Sequence, residues 1–280
     1  MQGFLFSCLT VAVACSFMHP RMNQTTSLEV VKTGHTISSR FNPPEGFSRG
    51  AGAQSDQFFR QLKLHPDGHS VHLFNGALKS NQSVHAAVLT YDVGKADLQQ
   101  CADACIRLIA EYLWQEKRYD DIHFYLTNGW RMDYSEWRKG KRLAVRGNTT
   151  QWVASTGVDT SYACFRSYLD HVFMYAGTLS LSKEIQPVEF NDLRIGDVIV
   201  QGGSPGHAVI IVDKVEHSNG EVRYMLAQSY MPAQEIHILK TPTSGSVWHT
   251  INSKEQVETA EWTFESPQFG RFSGISKTSQ

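Results

Sequence analysis

The chain has 280 residues, enough for one large domain or two small ones, and its 41% hydrophobic and 11% aromatic content supplies a real core, which excludes wholesale disorder. Its 26 Lys+Arg against 27 Asp+Glu give a formal charge of -1, without the basic excess a dedicated nucleic-acid binder carries. No nucleic-acid partner and no cofactor is expected.

The chain opens on an apolar run from Phe4 to about Phe17, too short to span a bilayer as a stable helix and of the length of a signal-peptide core. Ala12-Val13-Ala14 is a small-residue cleavage pattern, and Cys15 directly after it offers a site for lipid attachment, the one expected route to a membrane. We read residues 1–18 as a signal peptide, 19–40 as a linker, 41–265 as a single α+β domain and 266–280 as a tail. The expected location is therefore the periplasm or the outer surface.

Two short apolar runs between Ser70 and Tyr91 read as strands. From Asp97 to Gln115 the apolar positions Leu98, Cys101, Ala102, Cys105, Leu108, Ile109 and Tyr112 recur at helical spacing. That puts Cys101 and Cys105 on a core-facing stripe, as buried thiols acting like small hydrophobes. A third strand ends at Asn128-Gly129. The following basic cluster sets Trp130, Trp137 and Trp152 around Arg138, Lys139, Lys141, Arg142 and Arg146. It reads as a solvated hairpin, or as a platform for a glycan or peptide polymer through Trp137, Arg138 and Arg142.

A second helix is predicted from about Ser161 to Gly177, capped by Thr160 or Ser161 and ended by the glycine. Cys164 falls in its first turn, off the predicted core stripe and on a face with Tyr168, where unpaired N–H groups and the helix dipole favour a thiolate. Three strand-like runs follow, with His207 opening the second after a glycine-rich loop and Ser218-Asn219-Gly220 turning into the third. His237 and His249 read as ordinary histidines, and no metal is expected.

A first-turn cysteine, then "GDVIV", then "GH" opening an apolar strand and a hairpin to a strand with a polar residue is similar to the papain-like superfamily of bacterial cell-wall hydrolases, including CHAP amidases and D,L-endopeptidases. The similarity covers roughly residues 155–235, within a papain-like portion of about 150–240. It implies a papain-like C-terminal half, an antiparallel sheet packed on a helix, preceded by a smaller α/β-type segment. It also implies Cys164 as nucleophile, His207 as base and a polar third member. Gln228 is the nearest candidate for that third role. A two-residue loop at Asn219-Gly220, however, sets it opposite Ile211, about 13 Å along the strand from His207. A bulge or a wider loop closes that gap; otherwise Tyr230 or Gln234, each diagonal to His207, is nearer.

Over about residues 40–265 the chain also resembles a bacterial family of exported proteins known only as a domain of unknown function. The segments "DLQQCADA", "YAGTLSL", "GSPGHAVIIVD" and "AQSYMPAQEIHIL" carry this resemblance. The function expected from both resemblances is an exported cysteine hydrolase of amide bonds in cell-wall peptides. The alternative is a non-catalytic envelope-binding module that uses the same cleft for recognition, lined by Tyr168, Tyr230 and Gln234.

Overall fold

The computed structural model describes residues 29–276. The expected leader, Cys15 and the start of the expected linker lie outside the described residues. The helices are α1 (Ile37–Arg40), α2 (Gln54–Arg60), α3 (Cys101–Gln115), α4 (Tyr134–Arg138), α5 (Tyr162–Tyr175), α6 (Thr178–Glu184) and α7 (Ser273–Ser276). The strands are β1 (Phe47–Ser48), β2 (His85–Val88), β3 (His123–Tyr125), β4 (Arg131–Asp133), β5 (Lys141–Arg146), β6 (Thr149–Ala154), β7 (Gln186–Pro187), β8 (Val198–Gln201), β9 (His207–His217), β10 (Val222–Gln228), β11 (His237–Leu239), β12 (Gln256–Glu258), β13 (Thr263–Glu265) and β14 (Gln268–Arg271).

The fold is α+β. Its main sheet runs β2-β11-β10-β9-β8-β14-β7, with β1 on the far end of β9, and its paired strands are antiparallel. The pairs β3–β4, β5–β6 and β12–β13 form separate small hairpins. Strands β8, β9 and β10 are almost wholly buried, which explains why their sequences read as continuous apolar runs rather than alternating ones. Among the described residues no helix is long and apolar enough to cross a membrane.

The helix against the centre of this sheet is α3, which packs on β9 and β10. All but its last two residues are buried, Leu108 and Ile109 among them, each contributing about 1.5–3 kcal/mol of hydrophobic stabilisation. The spacing predicts a start at Asp97, but the helix begins four residues later. Tight turns close Leu98 N–H onto Ala96 O and Gln100 N–H onto Leu98 O, and Asp103 Oδ2 accepts from Gln100 N–H at 3.0 Å. Asp103 thus occupies the third helical position and caps the start, where a carboxylate also suits the helix dipole. Cys101 becomes the first residue of the helix.

Several expected boundaries shift. The sheet is not confined to a C-terminal half, because it draws β2 from the N-terminal part and β14 from the segment expected as a tail. Residues 37–40 are packed rather than linking: Ile37 and Arg40 are buried, and Arg40 donates to the carbonyls of Gly34 and His65. Asp213, fully buried on β9, receives Arg49 at 2.7 Å and Arg60 at 2.9 Å and so pins the N-terminal segment to the sheet. The run Ser70–Phe74 forms only isolated bridges, His72 to Leu78 and Leu73 to Gln234. The second helix matches α5, with Ser161 Oγ accepting from Cys164 N–H at 3.1 Å.

Candidate functional site

His207 stands where the glycine-rich loop enters β9, paired with Gln201 of β8. The loop needs its glycines because the backbone comes too close for side chains. A Cβ on Gly206 would lie 2.5 Å from both Gly203 O and Thr178 Oγ1, and Gly203 has a φ of +115. Thr178 Oγ1 in turn donates to Gly203 O at 3.0 Å, so the first turn of α6 holds the loop in place.

The register between β9 and β10 decides what His207 meets. Met225 pairs with Asp213 but Leu226 pairs with Ile211, so one extra residue is taken up on β9 at this bulge. Continued along the strand, this register sets Gln228 diagonal to His207 on the same face. His207 Nε2 then lies 2.8 Å from Gln228 Oε1.

The surrounding hydrogen bonds fix the proton positions. Gln228 Nε2 donates to Glu261 Oε2 at 2.7 Å and lies 3.3 Å from His237 Nε2, while His237 Nδ1 donates to Glu235 O at 2.9 Å. Gln228 Oε1 can therefore only accept, His207 Nε2 must carry the hydrogen, and His207 Nδ1 presents its lone pair. Glu261 is anchored by Lys79, whose ammonium lies 5.7 Å from the centroid of the Tyr230 ring. Burial raises the Glu261 carboxyl, but the nearby His237 and Lys79 outweigh it and hold the group below its usual range. Burial also drives His207 down to about 4, against the hydrogen bond to Gln228 and the Glu261 charge. At neutral pH the imidazole is therefore uncharged.

Cys101 is the thiol at this place. It faces the backbone N–H of Ala102 at the start of α3 and that of Ala208, the residue after His207. Two links hold this helix start against the end of β10: Ser229 Oγ lies 2.8 Å from Gln99 O, and Asp97 Oδ1 accepts from Ala233 N–H at 2.7 Å. Burial, reinforced by Asp103, pushes the thiol up to about 11. Cys101 lines a cleft of about 460 Å³ whose walls include Asp103, Gly206, Met231 and Trp262. The Trp262 and Tyr230 rings flank His207, with centroids at 5.3 and 4.9 Å.

The other expected site residues divide. His207, Gln228 and Tyr230 come together. Cys164 does not join them: it is 4% exposed, under Trp137 and near Tyr134 and Arg142, whereas His207 is surrounded by Gln228, Glu261 and His237. It lies on the packed side of α5 rather than off the core stripe, and burial raises its pKa, with Asp159 adding to the rise. Tyr168 is fully buried and donates its hydroxyl to Met132 O at 2.7 Å, a core tie and not a cleft wall. Gln234 is also buried, donating to Pro232 O within its own loop.

The basic cluster folds on itself. Trp137 is fully buried, with the Arg142 guanidinium 4.1 Å from its ring centroid, and Arg138 lies 4.3 Å from that of Tyr119. These aromatic faces are taken by the chain's own guanidinium groups, so Trp137 is no open platform. Sequence reasoning missed Cys101 as a site residue because its helical spacing looked like core. The available signal was Asp103, a capping carboxylate two residues on that marks Cys101 as the helix start. Lys79 and Glu261 carry no local signal, since only the tertiary fold brings them to Gln228.

The protein is thus an α+β domain with a thiol lining a cleft and an imidazole–carboxamide pair buried behind the cleft's Gly206 and Trp262 wall. A family model described as Domain of unknown function (4846) matches residues 37–271, and the chain belongs to this family. Neither a curated protein nor a solved structure matches the chain.

Proposed function

We propose that the protein is an exported papain-like cysteine hydrolase of amide bonds in cell-wall peptides, with Cys101 rather than Cys164 as its nucleophile. The observation that carries this reading is the Cys101 thiol at the N-terminus of α3, facing the Ala208 N–H directly after His207. The cell-wall assignment rests on the likeness of "GDVIV" and "GH" to those hydrolases.

Cys101 Sγ attacks the scissile carbonyl carbon while its proton passes to His207 Nδ1. The thiol and imidazole start uncharged, so proton transfer accompanies attack and no thiolate–imidazolium pair is stored beforehand. Backbone N–H groups at the start of α3 stabilise the oxyanion. His207 returns the proton to the departing amine, leaving a thioester. Water, deprotonated by His207, then releases the acid and restores the thiol. Gln228 is a positioning residue that keeps the hydrogen on Nε2 and the lone pair on Nδ1.

The test is incubation of purified protein with muropeptides, read by mass spectrometry. New amine and carboxyl termini are expected with the wild type and with Cys164→Ala, but not with Cys101→Ala. Binding that survives Cys101→Ala, with no cleavage by any form, would replace this reading with the envelope-binding module.

A further inference from the structure

The sequence run His65-Pro66-Asp67-Gly68-His69-Ser70-Val71-His72 places three imidazoles on one turn-rich segment. The fold brings that segment against Glu235, seven residues after Gln228. His69 Nε2 lies 3.4 Å and His65 Nε2 3.8 Å from a Glu235 carboxylate oxygen. His72 holds the same carboxylate twice, through its backbone N–H at 2.8 Å and its Nδ1 at 3.2 Å. The His65 and His69 rings stack 3.9 Å apart at 8°, so both present their donor nitrogens to one side.

We propose that His65, His69 and Glu235 form a binding site for a divalent transition-metal ion, zinc being the best fit. Their donor atoms all lie within 4.8 Å of one another. A tetrahedral zinc with ligands at about 2.0–2.1 Å separates neighbouring donors by roughly 3.3–3.4 Å, which the His69 and His65 spacings to Glu235, 3.4 and 3.8 Å, already match within half an ångström. Two imidazoles and a carboxylate suit zinc better than magnesium or calcium, which take oxygen donors.

The support around the ligands is already built. His72 orients Glu235, and His85 Nε2 donates to His69 O at 3.1 Å. The His65 and His69 side chains are 30% and 26% exposed, so an ion has a path in and solvent reaches a fourth position. The site is separate from Cys101, and its bearing on the cleft is mechanical. Glu235 closes the segment that carries Tyr230 against His207 and Met231 in the cleft wall, so the ion would clamp that wall to residues 65–72.

The experiment takes the full chain, stripped with chelator, and titrates it with zinc chloride by calorimetry and with cobalt(II) by visible absorption. One equivalent of each is expected, together with tetrahedral cobalt bands and a rise in melting temperature on zinc addition. His69→Ala and Glu235→Gln should each weaken binding by at least about tenfold and abolish the melting shift, and His72→Ala should weaken it by about tenfold. His35→Ala and Cys101→Ala should bind as the wild type does. The melting temperature of each stripped variant shows whether it folds, and Glu235→Gln keeps the shape of the side chain. Absence of stoichiometric binding overturns the site, as does binding lost in Cys101→Ala but kept in His69→Ala. Neither result bears on peptide cleavage, which is read separately.

Discussion

His207 and Gln228 meet diagonally across a bulge: one extra residue on β9 between the partners of Met225 and Leu226 brings their side chains to 2.8 Å. Without that residue Gln228 would stand one position further from His207 along the strands, on the opposite face. Gln228 in turn spends its amide hydrogens on Glu261 and His237, so the imidazole's tautomer is set by a chain of groups reaching to Lys79.

Removing the middle of that chain leaves buried groups unpaired. Gln228→Ala is expected to destabilise the fold by about 1–3 kcal/mol, read as a lowered urea midpoint. Gln228→Glu should be worse at neutral pH, because it sets a second carboxylate against Glu261.

Acid should unfold the protein through its buried histidines. Burial holds both His207 and His249 at about 4, below the ordinary value of 6.5. Between pH 6.5 and 4 the unfolded chain binds protons that the native state refuses, so stability falls as pH falls through that window. Each group contributes roughly 3 kcal/mol that is lost by pH 4. Denaturant melts at pH 7, 5.5 and 4 check this, and His249→Gln should flatten the slope. An unchanged midpoint from pH 7 to 4 would count against the buried, neutral state of both rings.

The seam between α3 and α5 rests on one carboxylate. Glu111 Oε1 takes Arg107 Nε at 2.6 Å and the Tyr162 hydroxyl at 2.6 Å, and Arg107 is fully buried. Glu111→Ala leaves the buried Arg107 guanidinium with only the largely exposed Asp92, 3.7 Å away, as counter-charge and is expected to cost about 3–5 kcal/mol. Glu111→Gln, which keeps both acceptor contacts, should cost clearly less. Thermal melts of the two variants side by side decide it.

Trp137 is expected to act on stability rather than on binding. Trp137→Ala should destabilise by about 3–5 kcal/mol, since the ring is fully buried between α5 and the Arg142 guanidinium. Arg142→Ala should leave retention on insoluble peptidoglycan unchanged in a pull-down. Retention that drops with Arg142→Ala while the fold survives would restore the polymer-platform reading.

Much of this was legible in the sequence. The α+β class, α5 with its Ser161 cap and the strands around His207 follow from periodicity, capping residues and turn signals. What misled was Cys101. A helix start and a helix middle look alike when both are apolar, and only the capping role of Asp103 separates them. Cys164 shows the reverse error: its first-turn position is real, but α4 and Trp137 cover it, and no local pattern reveals which face a neighbour will take. The edges of the sheet were illegible for the same reason, because short strands such as β2 and β14 owe their pairing to distant partners rather than to their own sequence.

The order of the main sheet has a temporal consequence. Its site draws on Lys79, Cys101, His207, Gln228 and Glu261, and the strand beside β8 is β14, nearly the last residues of the described chain. During synthesis the thiol segment therefore waits for more than half the molecule before its partners exist. A chain arrested before Glu261 would expose the strand edge of β8 and leave Lys79 without its counter-charge. These groups come together late and all at once, so a nascent or clipped form would lack the assembled arrangement.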